Sequence, residues 1–168
     1  MSGDKPSAVR RLVTGHTNDG VAIIKNDGVL PLHEYAPGLE VARIWVTDSV
    51  PSKDNNIDID GASRPVTRDN GLVSTGGTNC VITDLAPGAS TPWHRASSVD
   101  HNILISGTVV LKTEDGEETL KPGDITIQRG TMHAWYNPGP GYARWFCVLV
   151  DGEPAEIKGE RLEAAIKV

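Results

Sequence analysis

Residues 88–137 read GASTPWHRASSVDHNILISGTVVLKTEDGEETLKPGDITIQRGTMHAWYN. Two blocks of glycine and histidine stand out. The first is Gly88-(5)-His94-x-Ala96-(3)-Asp100-(6)-Gly107 and the second is Gly130-x-x-His133-x-x-x-Asn137, with Lys121-Pro122-Gly123-Asp124 between them. The residues around these positions form short runs rich in Val, Ile, Thr and Trp, each closed by turn formers, which is the pattern of short strands. Asp115-Gly116, between residues 109–112 and residues 118–121, is a hairpin signal. Two histidines and one aspartate therefore fall on or beside neighbouring strands.

The same texture continues in both directions. Residues 21–25, 41–47, 78–84, 102–106, 108–113, 118–121, 125–128, 134–137 and 143–150 are predicted strands. Asn26-Asp27-Gly28, Asp69-Asn70-Gly71 and Pro138-Gly139-Pro140-Gly141 separate them. Only the tail, 159–167, reads as a helix, with Leu162, Ala165 and Ile166 on one face. Many short strands and one terminal helix predict an all-β barrel or sandwich. No internal repeat or domain boundary is visible, so residues 1–168 are expected to be a single domain. Residues 51–71 are the exception: apolar residues are sparse and turn formers dense, as in a lid or excursion. Asn56-x-Asp58-x-Asp60-Gly61 imitates the start of a calcium loop, but position twelve of that loop is Thr67 rather than a bidentate Glu.

Whole-chain properties narrow the function classes. The 168 residues carry 38% hydrophobic residues, and the net charge is -6. Gly and Pro (18 and 11) make up about 17% of the chain, above the ~12% typical of proteins. An acidic surface gives no electrostatic reason to bind nucleic acid or anionic membranes. No apolar run approaches the ~18 residues of a membrane span, and the first residues lack the apolar core of a secretory signal. Cys80 and Cys147 lie in apolar strand-like runs and read as buried free thiols. The expected location is the cytoplasm. Gly76-Gly77 lacks a phosphate-loop lysine and dinucleotide spacing, so no nucleotide cofactor is expected.

The paired blocks resemble the two motifs of the cupin superfamily, small jelly-roll β-barrels that hold a metal or a substrate inside. His94 matches the first histidine of that pattern, Asp100 the acid, which is normally Glu, and His133 the last histidine. Gly88, Gly107, Gly123, Gly130 and Asn137 match framework positions. Ala96 stands where the second histidine belongs, and Gln128 replaces a proline. The likeness covers residues 78–150 as barrel core, with strands in 21–50 preceding it. Within the superfamily, PWHRASSVDHNILISGTV, QRGTMHAWYNP and the 43–51 segment look like single-domain cupins of bacteria and fungal biosynthetic gene clusters. Ala96 and His101 replace their usual Thr and Tyr. Members of that group with assigned roles act on small carbonyl or polyketide-like compounds by dehydration, decarboxylation or cyclisation.

The resemblance implies that His94, Asp100 and His133 face the interior. Two imidazoles and a carboxylate are the ligand set of a facial triad, so one divalent metal (Fe, Zn, Mn or Ni) is a chemical possibility. Without a metal the same three residues form an acid–base set. Strand parity puts Asp100 and His101 on opposite faces, and the spacing to Gly107 selects Asp100 for the interior. Parity also places Trp135 on the face of His133, as a flat wall, and Asn102 on the face of Asp100. Ala96 leaves room where an imidazole usually stands. Trp45, Trp93, Trp145, Tyr136 and Phe146 are assigned to the core or to subunit contacts, His16 and His33 to the surface, and Arg95 to an outward salt bridge. The leading expectation is a small-molecule lyase. An Fe(II)-dependent dioxygenase and a non-catalytic binding barrel are the alternatives. Pairing of barrels through N-terminal strands, as in related proteins, implies a homodimer.

Overall fold

In the computed structural model, which describes residues 4–167, short runs rich in β-branched and aromatic residues form the strands, and the longer β1 and β7 alternate between a more buried and an exposed face. In chain order these are β1 (Val9–His16), β2 (Ala22–Leu30), β3 (His33–Ala36), β4 (Leu39–Thr47), β5 (Thr78–Leu85), β6 (Trp93–Arg95), β7 (Ser98–Ser106) and β8 (Val109–Thr113). They continue as β9 (Glu117–Leu120), β10 (Ile125–Arg129), β11 (His133–Tyr136), β12 (Ala143–Asp151), β13 (Ala155–Ile157), β14 (Glu160–Leu162) and β15 (Ala165–Lys167). One sheet has the order β10-β7-β12-β5-β4-β3 and the other β15-β6-β11-β8-β9. The pairs β1-β2 and β13-β14 form separate two-stranded ribbons. The architecture is all-β, as the alternation predicts.

Strand β7 shows how pattern becomes placement. Ser98, Asp100, Asn102 and Leu104 are buried, while Val99, His101, Ile103 and Ile105 are exposed. The buried Leu104 joins Leu39, Leu85, Val109, Trp135, Trp145 and Leu149 in a core fed by both sheets. Gly107 follows β7 at φ +80, where a side chain's Cβ would lie 2.7 Å from Ala143 Cα. Only glycine makes that turn without displacing β12. Asn137, fully buried, donates from Nδ2 to the carbonyls of Leu85 and Gly141 and accepts from the Gly139 amide, closing the loop after β11.

The C-terminal helix expected over 159–167 is not formed. Lys158 and Gly159 take positive φ and turn β13 into β14, and β15 then pairs with β6. A nine-residue helix is marginal in isolation, whereas β15 supplies backbone partners to an otherwise unpaired edge of β6. Tertiary pairing overrides the apolar spacing that suggested a helix.

The excursion 51–71 is folded rather than open. It contains 3-10 turns at Asp54–Asn56, Gly61–Ser63 and Asp69–Gly71. Arg64 donates to both Asp54 oxygens at 2.8 and 2.7 Å and to Val46 O, and the Trp45 indole donates to Asp54 at 2.6 Å. These bonds hold Asp54 down to about 2, chiefly through Arg64. Asp60 and Asp58, the carboxylates of the calcium-loop imitation, are engaged by Arg11 and Lys25. On the outer side, Arg144 donates to both oxygens of the fully buried Asp84 at 2.6 Å and to Ser7 O. The N-terminal segment is thereby fixed across the sheet.

Candidate active site

His94 comes from β6 and His133 from β11, and the two are register partners. Their ring centroids lie 4.2 Å apart, tilted by 57°. Each ring is held in the same way. His94 Nδ1 is 2.9 Å from Pro92 O and His133 Nδ1 is 2.8 Å from Thr131 O, in both cases the carbonyl two residues earlier. A carbonyl oxygen only accepts, so each Nδ1 carries the proton and each Nε2 keeps its lone pair. Both histidines line one cavity of about 540 Å³, bounded by both sheets and by Ala62, Asn70 and Gly71 of the 51–71 excursion. Burial lowers the pKa of His94. For His133 burial, reinforced by the neighbouring His94, pushes it down to about 3. The pair is neutral at pH 7 and resists taking two protons.

Asp100, Asn102, Trp135 and Ala96 line the same cavity. Asp100 is nearly inaccessible and accepts a 2.6 Å hydrogen bond from Ser98 Oγ. Burial raises its carboxyl to about 6, against the opposing effect of that bond. Asn102 donates to Gln128 Oε1 at 3.1 Å. Trp135 meets His133 edge-on at 6.0 Å and packs on Trp145 at 5.6 Å, so it belongs to the cavity wall and to the core together. Ile166 of β15 also reaches the cavity, beside His94. His33, assigned to the surface, is exposed but sits on the cavity rim. Among the described residues Arg95 forms no salt bridge; its Nε donates to Glu163 O.

The facial set of His94, Asp100 and His133 does not form. Among the described residues no three His, Cys, Asp or Glu side chains stand close enough to hold one metal ion. The imidazoles have the backbone-fixed tautomer that suits a ligand. However, Asp100 rises from β7 in the opposite sheet, where it is tied to Ser98. Further polar residues that line the cavity escaped the sequence reading, among them Arg43, Asn79, Gln128, His33 and Glu34. Alternation in β4 places Arg43 on the inward face with Val41, which was the available signal.

Residues 81–149 match the Cupin domain family, Cupin_2. The chain is also 32% identical, over 94% of its length and 79% of the other's, to the cupin-domain-containing oxidoreductase fogC of Aspergillus ruber. The chain belongs to the cupin family. Another cupin-domain-containing oxidoreductase, virC of Hypocrea virens, is 32% identical over 88% of this chain and 78% of that one. The oryzines biosynthesis cluster protein J of Aspergillus oryzae is 28% identical over 92% of this chain and 89% of that protein. A cupin-2 domain structure from Rhodospirillum rubrum superposes with a TM-score of 0.51 at 10% identity, covering 100% of this cupin and 82% of that chain, and supports the fold alone. Among the described residues no helix is long and apolar enough to cross a membrane.

Proposed function

We propose that this cupin is a biosynthetic enzyme. It removes a proton from a carbon next to a carbonyl and expels a small group, as a non-redox lyase of small carbonyl or polyketide-like compounds. The observation that carries this is the shared tautomer of His94 and His133, which leaves two unprotonated Nε2 atoms at the cavity. In the dehydration form of the step, one neutral Nε2 takes the α-proton. The C–H electron pair becomes a C=C bond, the β C–O bond breaks, and the leaving hydroxyl takes the same proton from the imidazolium and departs as water. The adjacent imidazole shares the proton meanwhile, and repulsion keeps the pair to a single charge. Asp100, raised to about 6 by burial, serves as a second acid, and Trp135 gives a planar substrate a flat wall. Relatives encoded in biosynthesis clusters support the biosynthetic setting.

The experiment is turnover of β-hydroxy ketones, followed by the ultraviolet absorbance of the conjugated enone that loss of water forms. Loss of turnover in His133→Ala is the expected result, and undiminished turnover in that variant would refute the proposal. An oxidoreductase is the second reading, favoured by relatives about 30% identical that are named cupin-domain-containing oxidoreductases. Oxygen uptake or reduction of an added electron acceptor, tied to substrate, would establish it instead.

The working unit is proposed to be a homodimer. Leu12, Ile24 and Val29 of the β1-β2 ribbon are half or more exposed, and a two-stranded ribbon is marginal unless something packs on it. A monomeric mass by light scattering at micromolar concentration would refute this.

A further inference from the structure

Arg43 is the one permanent cation lining the cavity among the described residues. It projects from β4, opposite Val81 of β5. The fold's other buried or half-buried arginines with ion pairs, Arg11, Arg64, Arg68 and Arg144, all meet carboxylates. Arg43 meets none among the described residues. Among the described residues its guanidinium makes one hydrogen bond, 3.3 Å from Nη1 to Arg64 O. A guanidinium has five N–H donors, and a partly buried one without an anion is costly.

The sheet register shows what Arg43 faces. Arg43, Val81, Cys147 and Asn102 lie in one cross-strand row, and Asn79, Leu149, Asp100 and Gln128 in the adjacent row. Three strand spacings separate Arg43 from Asn102, roughly 14 Å along the wall. The histidine pair projects from the opposite sheet, and stacked sheets stand about 10 Å apart. A ligand at the histidines therefore spans the cavity to reach Arg43. Two further polar atoms on this wall, Gln128 Nε2 and Asn79 Oδ1, are buried with no partner among the described residues. Native interiors rarely leave such atoms unpaired, and both belong to residues that line the cavity.

We infer that Arg43 is the anchor for a carboxylate on the substrate, so the substrate class is a carbonyl acid with a planar or apolar body. This rests on the histidine pair as the reacting centre. The carboxylate is a handle remote from the reacting carbon, because a guanidinium stabilises the anion and opposes its loss as carbon dioxide. The reaction at the histidines is then the elimination of water, with the carboxylate kept in the product.

The probes are 2-naphthoate and its neutral counterpart 2-naphthamide, titrated into the intact protein and followed by tryptophan fluorescence. Wild type binds naphthoate about ten- to a hundredfold more tightly than naphthamide, the range of a hydrogen-bonded charge. In Arg43→Gln that preference falls to near one while naphthamide affinity is unchanged, which shows an intact cavity. Arg43→Lys restores only part of it, since an ammonium lacks the two-pronged geometry. Equal affinities in wild type, no naphthoate binding at millimolar concentration, or an unchanged preference in Arg43→Gln would overturn the inference. The wild-type ratio alone decides if the variant does not fold. Naphthoate preference also persists in His133→Ala, so failure of the histidine mechanism and failure of the anchor give different results.

Discussion

His94 and His133 stand opposite each other across β6 and β11, with ring centroids 4.2 Å apart, and each donates its Nδ1–H to the carbonyl two residues before it. Short strand segments make this possible. Pro92 and Thr131 lie just outside the strands, where their carbonyls are free of the ladder. The same local bond, made twice, fixes the tautomer of each ring independently.

Because the two imidazoles act as one base, their removal is not additive. His133→Ala lowers turnover by roughly 10²–10⁴, the usual share of a positioned base. His94→Ala lowers it by less or by a similar factor, and the double variant is little worse than the worse single one. Single-turnover rates of the three variants check this, and independent, multiplying losses would contradict it.

Asp100 works against folding at neutral pH. Its folded carboxyl titrates at about 6 because burial disfavours the anion, against 3.8 when unfolded. Below pH 3.8 both states are protonated and the group has no effect. As pH rises from about 4 to 6 only the unfolded chain ionises, so stability falls, by about 3 kcal/mol in all. Asp100→Asn can still accept the Ser98 hydroxyl bond and escapes this loss. Its melting temperature exceeds that of wild type at pH 7.5 and converges with it at pH 3.5. His133 has the opposite trend, losing stability as pH falls from 6.5 towards 3, but it is present in both proteins and cancels in the comparison. An equal or lower melting temperature for the variant at pH 7.5 would contradict the buried, unpaired carboxylate.

Much of this was legible in the sequence, for a local reason. Period-two alternation in β7 correctly turns Asp100 and Asn102 inward and His101 outward. The spacing between glycines locates the turns that only glycine can make, as at Gly107. Strand β6 was not legible because three residues carry too little pattern, although it holds His94. Strand β1 was hidden because Arg11 takes an inward position, folded over the Trp45 ring and paired with Asp60. The tail misled because Leu162, Ala165 and Ile166 have helical spacing but a waiting strand edge at β6. The ligand set depends on distances between two sheets, which no single strand's pattern encodes.

The Asp84–Arg144 pair links β5, β12 and the N-terminal segment through Ser7 O. Arg144→Leu leaves the fully buried Asp84 carboxylate without its cation and costs about 3–5 kcal/mol. Urea denaturation measures this, and the double change Asp84→Leu with Arg144→Leu recovers much of the loss. A cost below about 1 kcal/mol for the single variant, the level of a surface pair, would contradict it.

The central claim is that both histidines are neutral, with the proton on Nδ1 and a free Nε2 facing the substrate cavity. Nitrogen-15 NMR of histidine-labelled protein, titrated from pH 8 to pH 5, tests it most directly. The predicted result is two imidazoles, lost in His94→Ala and His133→Ala respectively, that keep the Nδ1–H tautomer at neutral pH, with His133 showing no titration near 6.5. An Nε2–H tautomer at either ring, or a His133 that gains its proton at the ordinary value of 6.5, would contradict the account.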